Sequence, residues 1–362
     1  MTYSELKVSA PGRLCLLGEH QDYFGLPIIA AAIDLRITVR GKARQDDIFS
    51  IELPDIKKRD EFSLNNEISY IEERDYLRSV VNVLRRQKVP ISTGWDCSIQ
   101  GTIPINSGTS SSSAMVIAWI KFLLEATKDI RACCYEDIAE FGFLSEVAEF
   151  KEPGGKMDHY ATSLGGVVNV YPGETFSVRQ FKKPLKEFVL ADSLIKKNTT
   201  GTLAHIKNNV FSGLKKVRKK LSDFNLNSSV GAEEKEEIEQ LPLMEKKLLL
   251  GTLKTRDITA EGVKLFMSKD FDHQYFGELL SRQQEVMRDY LDLSTPKLDK
   301  MIETALNSGA LGAKINGSGL GGCIFAYAPE KAGSVAEALR QLDTNVYIVK
   351  VDEGVRIENQ KN

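Results

Sequence analysis

Residues 9–23 place charged side chains inside a stretch that otherwise has the apolar pattern of a buried β-strand. The segment contains a cation, Arg13, two carboxylates, Glu19 and Asp22, and the imidazole of His20. Burying such groups without partners costs several kcal/mol, so their presence here requires a reason. Either a strand runs into a polar loop with an incidental ion pair, or the segment builds a substrate pocket.

The size and charge of the chain exclude several classes of protein. A length of 362 residues is long for one core and favours two domains. The formal net charge of −2 provides no basic surface for nucleic acid or for an anionic membrane. The five cysteines show no CxxC spacing, which argues against a zinc site or a disulfide framework. Since the chain shows neither a signal-peptide pattern nor an apolar run of ~18 residues, we expect a cytoplasmic protein.

The apolar pattern divides the chain into two α+β halves. Strand-like segments are prominent in residues 1–187, whereas charged helical segments dominate residues 188–362 until strands return near the end. We therefore expect an N-terminal domain over 1–187 and a C-terminal domain over 188–362.

A run of small residues from Gly108 to Ser113 joins a predicted strand at 95–99 to an apolar helix at 114–124. Free backbone N–H groups at a helix start bind phosphate without a lysine, and serine hydroxyls can ligate magnesium. The run could instead be a flexible linker or a serine N-cap. The flanking strand and helix leave no spare length for a linker, which favours phosphate binding. The chain contains no GxxxxGK[ST], so it is not a P-loop NTPase of the usual kind.

A second glycine-rich segment, residues 317–322, satisfies the GxGxxG pattern of dinucleotide sites. A strand-like segment follows it at 323–327, whereas a Rossmann loop requires a helix there. A dinucleotide site is therefore not expected. The segment is either a tight hairpin with a bulge or a turn that lets the backbone approach a ligand closely.

Two carboxylates flank the Pro-Gly-Gly break at 153–155. Glu149 ends the preceding predicted helix, and Asp158 follows the break. One could hold a metal ion while the other accepts a proton in the same site. An aspartate after such a break is also typical of a helix N-cap.

Together, these segments resemble the GHMP kinase superfamily, and within it the galactokinase-like sugar kinases. Residues 11–23 are similar to the signature PGR-x-x-x-x-GEH-x-DY, the serine run to Pro-x-x-x-Gly-Leu-Ser-Ser-Ser, and residues 315–323 to the third family motif. Residues 288–299 are also similar to a stretch of galactokinases. The resemblance implies a two-domain α+β fold with ATP and sugar in the cleft between the domains.

The resemblance also implies roles for single residues. Asp158 matches the aspartate that accepts a proton from the attacking hydroxyl, and Arg13 matches its cationic partner. Ser112 and Glu149 match the magnesium ligands. The other matched residues contact ligands: Gly108, Ser110, Ser111, Ser112, Gly317 and Gly319 contact ATP, and Glu19, His20 and Asp22 contact sugar hydroxyls.

We therefore predict an ATP- and Mg²⁺-dependent kinase that phosphorylates a sugar at its anomeric hydroxyl and has no nucleic-acid or membrane partner. Galactose, a related aldose or a uronic acid are the expected substrates. Residues 191–201 lack the tyrosine found in galactokinases and carry Lys196 and Lys197, which either are solvated or bind an anionic sugar. The phosphate loop departs from the family at 106–107 and at Thr109. The alternatives are a mevalonate-type kinase and a galactokinase-like sensor that binds ATP and sugar without turnover.

Overall fold

The computed structural model describes residues 4–173, 175–197 and 199–358. Its strands are β1 (Glu5–Leu17), β2 (Ile28–Ala43), β3 (Ile48–Leu53), β4 (Lys58–Ser63), β5 (Trp95–Gly101), β6 (Val167–Tyr171), β7 (Ser177–Phe181), β8 (Phe188–Asp192), β9 (Gly312–Ile315), β10 (Cys323–Tyr327), β11 (Asn345–Val349) and β12 (Arg356–Ile357). They form two sheets. The larger has the order β12-β1-β2-β5-β3-β4, with β6 and then β7 extending from β2, and the smaller has the order β11-β8-β10-β9.

Ten α-helices cover these sheets within the described residues: α1 (Tyr76–Arg86), α2 (Ser111–Thr127), α3 (Tyr135–Phe143), α4 (Met157–Leu164), α5 (Thr199–Val217), α6 (Ala232–Glu239), α7 (Leu243–Met267), α8 (His273–Asp289), α9 (Pro296–Asn307) and α10 (Ala332–Arg340). Side-chain caps fix several of their starts. The carboxylate of Asp272, for example, accepts a hydrogen bond from the Tyr275 backbone N–H at the start of α8. No helix in the described ranges has both the length and the apolar character needed to cross a bilayer.

A helix break expected from the sequence is absent from the structure. The spacing of charged residues predicts separate helices at 233–250 and 256–268, but α7 is continuous through Gly251 and begins after Pro242. Pro242 has no backbone N–H to extend α6 into α7, so it separates the two helices. Gly251 lies inside this helix, where close packing leaves no room for a side chain: a Cβ at this position would lie 2.7 Å from Leu291 Cδ2.

Strand β1 connects the two halves of the molecule. Its first part contributes Leu6, Val8 and Ala10 to a core beneath α1 and α2. Its pairing with β2 is interrupted by a register shift between Pro11 and Gly12, and its later residues enter a larger core that also contains β8, β10, α7 and α8. Helix α7 packs directly on β1, because a Cβ at Gly262 would lie 2.2 Å from Leu17 Cδ1. The functional segment at 9–23 therefore lies where the halves meet.

The expected α+β class is confirmed by this arrangement. The passage from β7 to β8 is also the passage from the larger sheet to the smaller one. The end of the chain, however, returns to the larger sheet, where β12 pairs with β1 and Val351 bridges to Ile33. The division at residue 187 therefore stays a prediction.

Candidate active site

Polar side chains from both halves converge on one cleft. It is lined by the end of β1, the loop before α2, the segment before α4, the segment before α5 and the loop between β9 and β10. Most of the sequence-predicted site residues lie in it, namely Arg13, Glu19, His20, Asp22, Gly108, Ser110, Ser111, Ser112, Asp158 and Gly317. Glu149 and Gly319 do not line it.

Arg13 and Asp158 form an ion pair in this cleft, although 145 positions separate them in the chain. Arg13 Nε donates to Asp158 Oδ1 at 2.7 Å, and its Nη1 donates to the carbonyl of Gly108. Burial alone would raise the pKa of Asp158, but the charge of Arg13 and its hydrogen bond hold that pKa below its usual value. The Asp158 side chain is 30% exposed, so an ionised carboxylate faces the cleft and can accept a hydrogen bond from a ligand.

The geometry at the start of helix α2 is suited to binding an anion. Ser110 adopts a left-handed conformation (φ 58°, ψ 45°) that turns the chain into the helix, and its side chain makes no capping hydrogen bond. Its buried hydroxyl makes no close hydrogen bond to a described residue, although it lies near enough to Asp158 to help lower the pKa of that carboxyl. The first N–H groups of a helix have no intrahelical acceptors and lie at the positive end of its dipole. A phosphate placed here would satisfy both the amides and the hydroxyl.

Asn316 fixes the loop before α2 against strand β1. Its Nδ2 donates to the Gly108 carbonyl at 2.9 Å, and its Oδ1 accepts from the Cys15 backbone N–H at 2.9 Å. A Cβ at Gly108 would lie 2.4 Å from the Asn316 carbonyl oxygen, so this approach requires glycine. Ser107 and Thr109, which depart from the family pattern, are buried, and their hydroxyls lie 2.9 Å apart inside the loop. These substitutions brace the loop internally.

The glycine-rich segment 317–322 connects the antiparallel strands β9 and β10, so the hairpin interpretation is correct and a Rossmann arrangement is absent from this segment. Gly317 lines the cleft, and its N–H donates to the carboxylate of Glu19. Gly319 lies behind this turn, where a Cβ would be 2.6 Å from Leu293 Cβ. The packing thus gives Gly319 a structural role and leaves Gly317 beside the ligand space.

Glu19 is held on both of its carboxylate oxygens. One oxygen pairs with the ammonium group of Lys314, and the other accepts from the Gly317 N–H. The side chains of Glu19 and Lys314 are 2% and 0% exposed. Glu19 therefore connects the end of β1 to the β9–β10 hairpin, and this bracing contrasts with the direct sugar contact expected from the sequence.

His20 and Asp22 both present polar atoms to the cleft, and burial shifts their pKa values in opposite directions. Burial lowers the pKa of His20 to about 4, so its imidazole is neutral near pH 7. Its Nδ1 lies 3.1 Å from the Tyr23 hydroxyl. Nε2 is buried and makes no close hydrogen bond to a described residue, and the backbone of Ser318 and Gly317 lies near the ring. Burial, together with the charge of Asp158, raises the pKa of Asp22 to about 6. Asp22 accepts from the N–H groups of Tyr23 at 3.0 Å and Met157 at 3.3 Å.

Glu146, which was not predicted, lies in the cleft with the serine loop, whereas the predicted Glu149 does not. Glu149 lies outside the cleft, where its carboxylate accepts from Tyr70 and Arg86. Glu146 lines the cleft together with Ser112, and its Oε2 lies 2.8 Å from His159 Nε2. Among the described residues, no group of three or more His, Cys, Asp and Glu side chains lies close enough together to hold a metal ion. A cation bound beside Ser112 would need further oxygen ligands from phosphate and water.

Lys197 lies in the cleft, whereas its neighbour Lys196 is exposed. The Lys197 ammonium would be 3.1 Å from a Cβ at Gly108, and its Cδ would be 3.4 Å from a Cβ at Gly322. Burial and the nearby charge of Arg13 lower the pKa of Lys197 to about 8. Of the two lysines noted in the sequence, one therefore belongs to the site and one to the surface.

Glu146, Lys314 and Asn316 were not identified from the sequence. A signal for Glu146 exists in the helical phase, since it follows Ile138 and Gly142 at four-residue intervals and these residues are buried. Lys314 lies within the short buried strand β9 and Asn316 directly follows it, and their contacts with Cys15 in β1 are long-range contacts that no local pattern indicates.

Three family models match the chain. The model described as GHMP kinases N terminal domain matches residues 75–166, and that described as GHMP kinases C terminal matches residues 264–345. A third, the galactokinase galactose-binding signature, matches residues 2–42, which include Arg13, Glu19, His20 and Asp22.

Curated relatives match over nearly the whole chain. A galactokinase of Haemophilus influenzae is 28% identical over 381 aligned residues, which cover 98% of this chain and 95% of the relative. A mevalonate kinase of Pyrococcus furiosus is 30% identical over 369 aligned residues, which cover 97% of each.

Solved structures share the fold. Lactococcus lactis galactokinase, crystallised with galactose, superposes with a TM-score of 0.84 at 21% identity and covers 98% of this chain and 95% of its own. The mevalonate kinase of Methanococcus jannaschii superposes with a TM-score of 0.72 at 21% identity and covers 97% of this chain and 99% of its own.

Proposed function

Since this chain belongs to the GHMP kinase family and is therefore a phosphotransferase, we propose that it transfers the γ-phosphoryl group of ATP, with Mg²⁺, to the anomeric hydroxyl of a sugar. Galactose is the first candidate acceptor, followed by related aldoses and uronic acids. The observation that carries this proposal is the Arg13–Asp158 pair in the cleft that also holds the start of α2.

The donor side is supported by the start of α2. Its free N–H groups and the Ser110 hydroxyl, which makes no capping hydrogen bond, suit the phosphates of ATP. Ser112 and Glu146 are the oxygen donors that would hold Mg²⁺, which replaces the expected Ser112–Glu149 pair. Two protein oxygens suit this ion, because it usually keeps water and phosphate oxygens as its other ligands. When bound, Mg²⁺ offsets negative charge on the phosphates.

The acceptor side is supported by Asp158 and Arg13. The Asp158 carboxylate remains ionised at neutral pH, so it can hold the attacking hydroxyl and accept its proton. The Arg13 guanidinium, fixed by Asp158 and the Gly108 carbonyl, keeps that carboxylate in place and offers positive charge to the phosphoryl group. Positioning and charge stabilisation supply most of the catalysis in phosphoryl transfer.

The sugar side is supported by the galactose-binding signature at residues 2–42. His20 Nε2 and the Asp22 carboxylate both face the cleft and suit several hydroxyls of one acceptor. A mevalonate-type kinase is the second candidate, because the Pyrococcus furiosus mevalonate kinase is 30% identical. A sensor without turnover is disfavoured, because the Arg13–Asp158 pair is intact.

The experiment is ADP release with ATP, Mg²⁺ and a panel of acceptors. The panel contains galactose, arabinose, fucose, N-acetylgalactosamine, glucuronate and galacturonate, with mevalonate as a control. Turnover of a sugar supports the proposal, and turnover of mevalonate alone supports the second candidate. Asp158→Asn should reduce turnover by about 10²–10⁴-fold while ATP still binds, because it removes the proton acceptor. Near-normal turnover in this variant would contradict the mechanism.

A further inference from the structure

We propose that Lys197 is a catalytic residue that contacts the phosphoryl group during its transfer. The inference rests on the proposed function and adds a second cation, beside Arg13, to its mechanism. The cation comes from the segment that precedes α5, in the second half of the chain.

The side chain of Lys197 extends between the two glycine-containing loops of the cleft. Its stem passes Gly322, and its ammonium reaches Gly108, whose carbonyl also accepts from Arg13. The glycines provide the room: Cβ atoms at 108 and 322 would lie 3.1 Å from Nζ and 3.4 Å from Cδ of the lysine. The ammonium therefore lies at the loop that leads into α2, on the phosphate side of Asp158.

The charge of Lys197 has no carboxylate partner of its own, although the charges of Asp158 and Glu19 lie near it. Asp158 pairs with Arg13, and Glu19 pairs with Lys314, whereas Lys197 forms no ion pair with a carboxylate of the described residues. Burial, followed by repulsion from the like charge of Arg13, lowers the pKa of the lysine to about 8. The nearby carboxylate of Asp158 is already engaged by Arg13, so the two cations together exceed the negative charge beside them. A polyphosphate in the cleft would relieve this repulsion.

The phosphoryl transfer needs no bond or proton change at Lys197. The acceptor oxygen bonds to the γ-phosphorus, the bond from that phosphorus to the β–γ bridging oxygen breaks, and ADP leaves with the electron pair. The proton of the acceptor hydroxyl goes to Asp158. Lys197 donates hydrogen bonds to the non-bridging oxygens throughout, where a fixed cation stabilises charge in a partly dry site.

The rival interpretation is that Lys197 binds a carboxylate of an acidic acceptor, such as a uronic acid. Kinetics with neutral and acidic acceptors separate the two. A phosphoryl contact affects kcat for every acceptor, whereas a carboxylate contact affects KM for the acidic ones only.

The experiment compares the full-length chain with Lys197→Met, Lys197→Arg and Lys196→Met, using the best acceptor from the panel. We expect Lys197→Met to reduce kcat by about 10²–10³-fold, the usual effect of removing one donor that stabilises transition-state charge. KM for a neutral sugar should change by less than about threefold, and Lys197→Arg should restore most of kcat. Lys196→Met is the matched control, because that side chain is exposed, and should match the unmodified chain.

A binding measurement tests the contact without turnover. Lys197→Met should weaken binding of the β,γ-imido analogue of ATP by about 10–100-fold more than binding of ADP, because only the analogue carries the γ-phosphate. Thermal unfolding of each variant confirms that it is folded. The proposal fails if Lys197→Met keeps kcat within about twofold, loses affinity for both nucleotides equally, or changes only KM for uronates. Absence of turnover in the unmodified chain would instead contradict the proposed function, and the nucleotide comparison would still test Lys197.

Discussion

The ammonium group of Lys314 forms a fully buried ion pair with the carboxylate of Glu19, and this pair joins the two halves of the molecule. The same ammonium donates to the carbonyls of Cys15 at 3.0 Å and Ile315 at 2.8 Å. The other oxygen of Glu19 accepts from Gly317 in the hairpin that lines the cleft. Glu19, which directly follows β1, therefore positions the glycine-rich β9–β10 hairpin of the second half.

Removal of Lys314 should destabilise the protein strongly. Lys314→Met leaves the Glu19 carboxylate buried and without its cation, which typically costs about 3–5 kcal/mol. Urea unfolding should show this loss, and adding Glu19→Gln should recover part of it because the uncompensated charge is gone. Lys300→Met, which disrupts the exposed pair with Glu303, is the control and should leave the midpoint nearly unchanged. Equal stability of Lys314→Met and the control would show that the buried pair contributes little.

The Lys314–Glu19 pair also shows what the sequence could not predict. Its partners are 295 positions apart, and no periodicity in either segment indicates the other. Arg13 and Asp158 are also remote, at 145 positions apart, but the resemblance to the family identified both, so their pairing was expected from it. Local pattern predicted α2 and placed its start at 114, three residues after the observed start at Ser111, because a run of small residues followed by an apolar helix is a local signal. It did not indicate that Glu146 lines the cleft while Glu149 lies outside it, since that depends on which helical face is buried.

Asp22→Asn should stabilise the protein at neutral pH while impairing sugar turnover. The pKa of Asp22 rises from 3.8 to about 6 on folding, so its contribution to stability is full below pH 3.8 and is lost as the pH rises through 6. The amide does not titrate, so the advantage of the variant should grow between pH 4 and 6. It should approach about 3 kcal/mol at pH 7.5, since each pKa unit is worth about 1.4 kcal/mol.

The measurement is urea unfolding of both proteins at pH 4.5 and 7.5. The difference between the variant and the parent is the informative quantity, because His20 titrates in the opposite sense. The pKa of His20 falls from 6.5 to about 4, so its contribution to stability is lost as the pH falls from 6.5 toward 4. A stability difference that is the same at both pH values would refute the assignment to Asp22.

Gly155→Ala should displace Asp22 from the cleft. A Cβ at position 155 would lie 1.9 Å from Asp22 Oδ2, so the carboxylate or the segment before α4 must move. We expect KM for the sugar to rise at least about tenfold, because polar contacts with a buried acceptor group are lost. Gly333→Ala is the matched control, since a Cβ there has no neighbour within 4 Å and alanine favours helix α10. That control should keep full activity and be slightly more stable, and a similar KM for both variants would contradict the prediction.

Glu146→Gln and Glu149→Gln should separate the two candidate magnesium ligands. Glu146 lies in the cleft with Ser112, and its carboxylate is oriented by His159, so its loss removes a negatively charged oxygen donor from the phosphate side. We expect the Mg²⁺ concentration for half-maximal activity to rise at least about tenfold and kcat to fall in Glu146→Gln. Glu149 is held by Tyr70 and Arg86 outside the cleft, so Glu149→Gln should keep the Mg²⁺ dependence of the parent.

Titration of activity with Mg²⁺ at saturating ATP and acceptor is the deciding measurement for this pair. Thermal unfolding accompanies it, because Glu149→Gln weakens surface contacts while Glu146→Gln leaves His159 Nε2 with a neutral partner. A change in stability without a change in Mg²⁺ dependence therefore indicates a structural role only. If Glu149→Gln instead shifted the Mg²⁺ dependence and Glu146→Gln did not, the ligand would be the residue first expected from the motif, and the loop at 150–156 would have to rearrange when nucleotide binds.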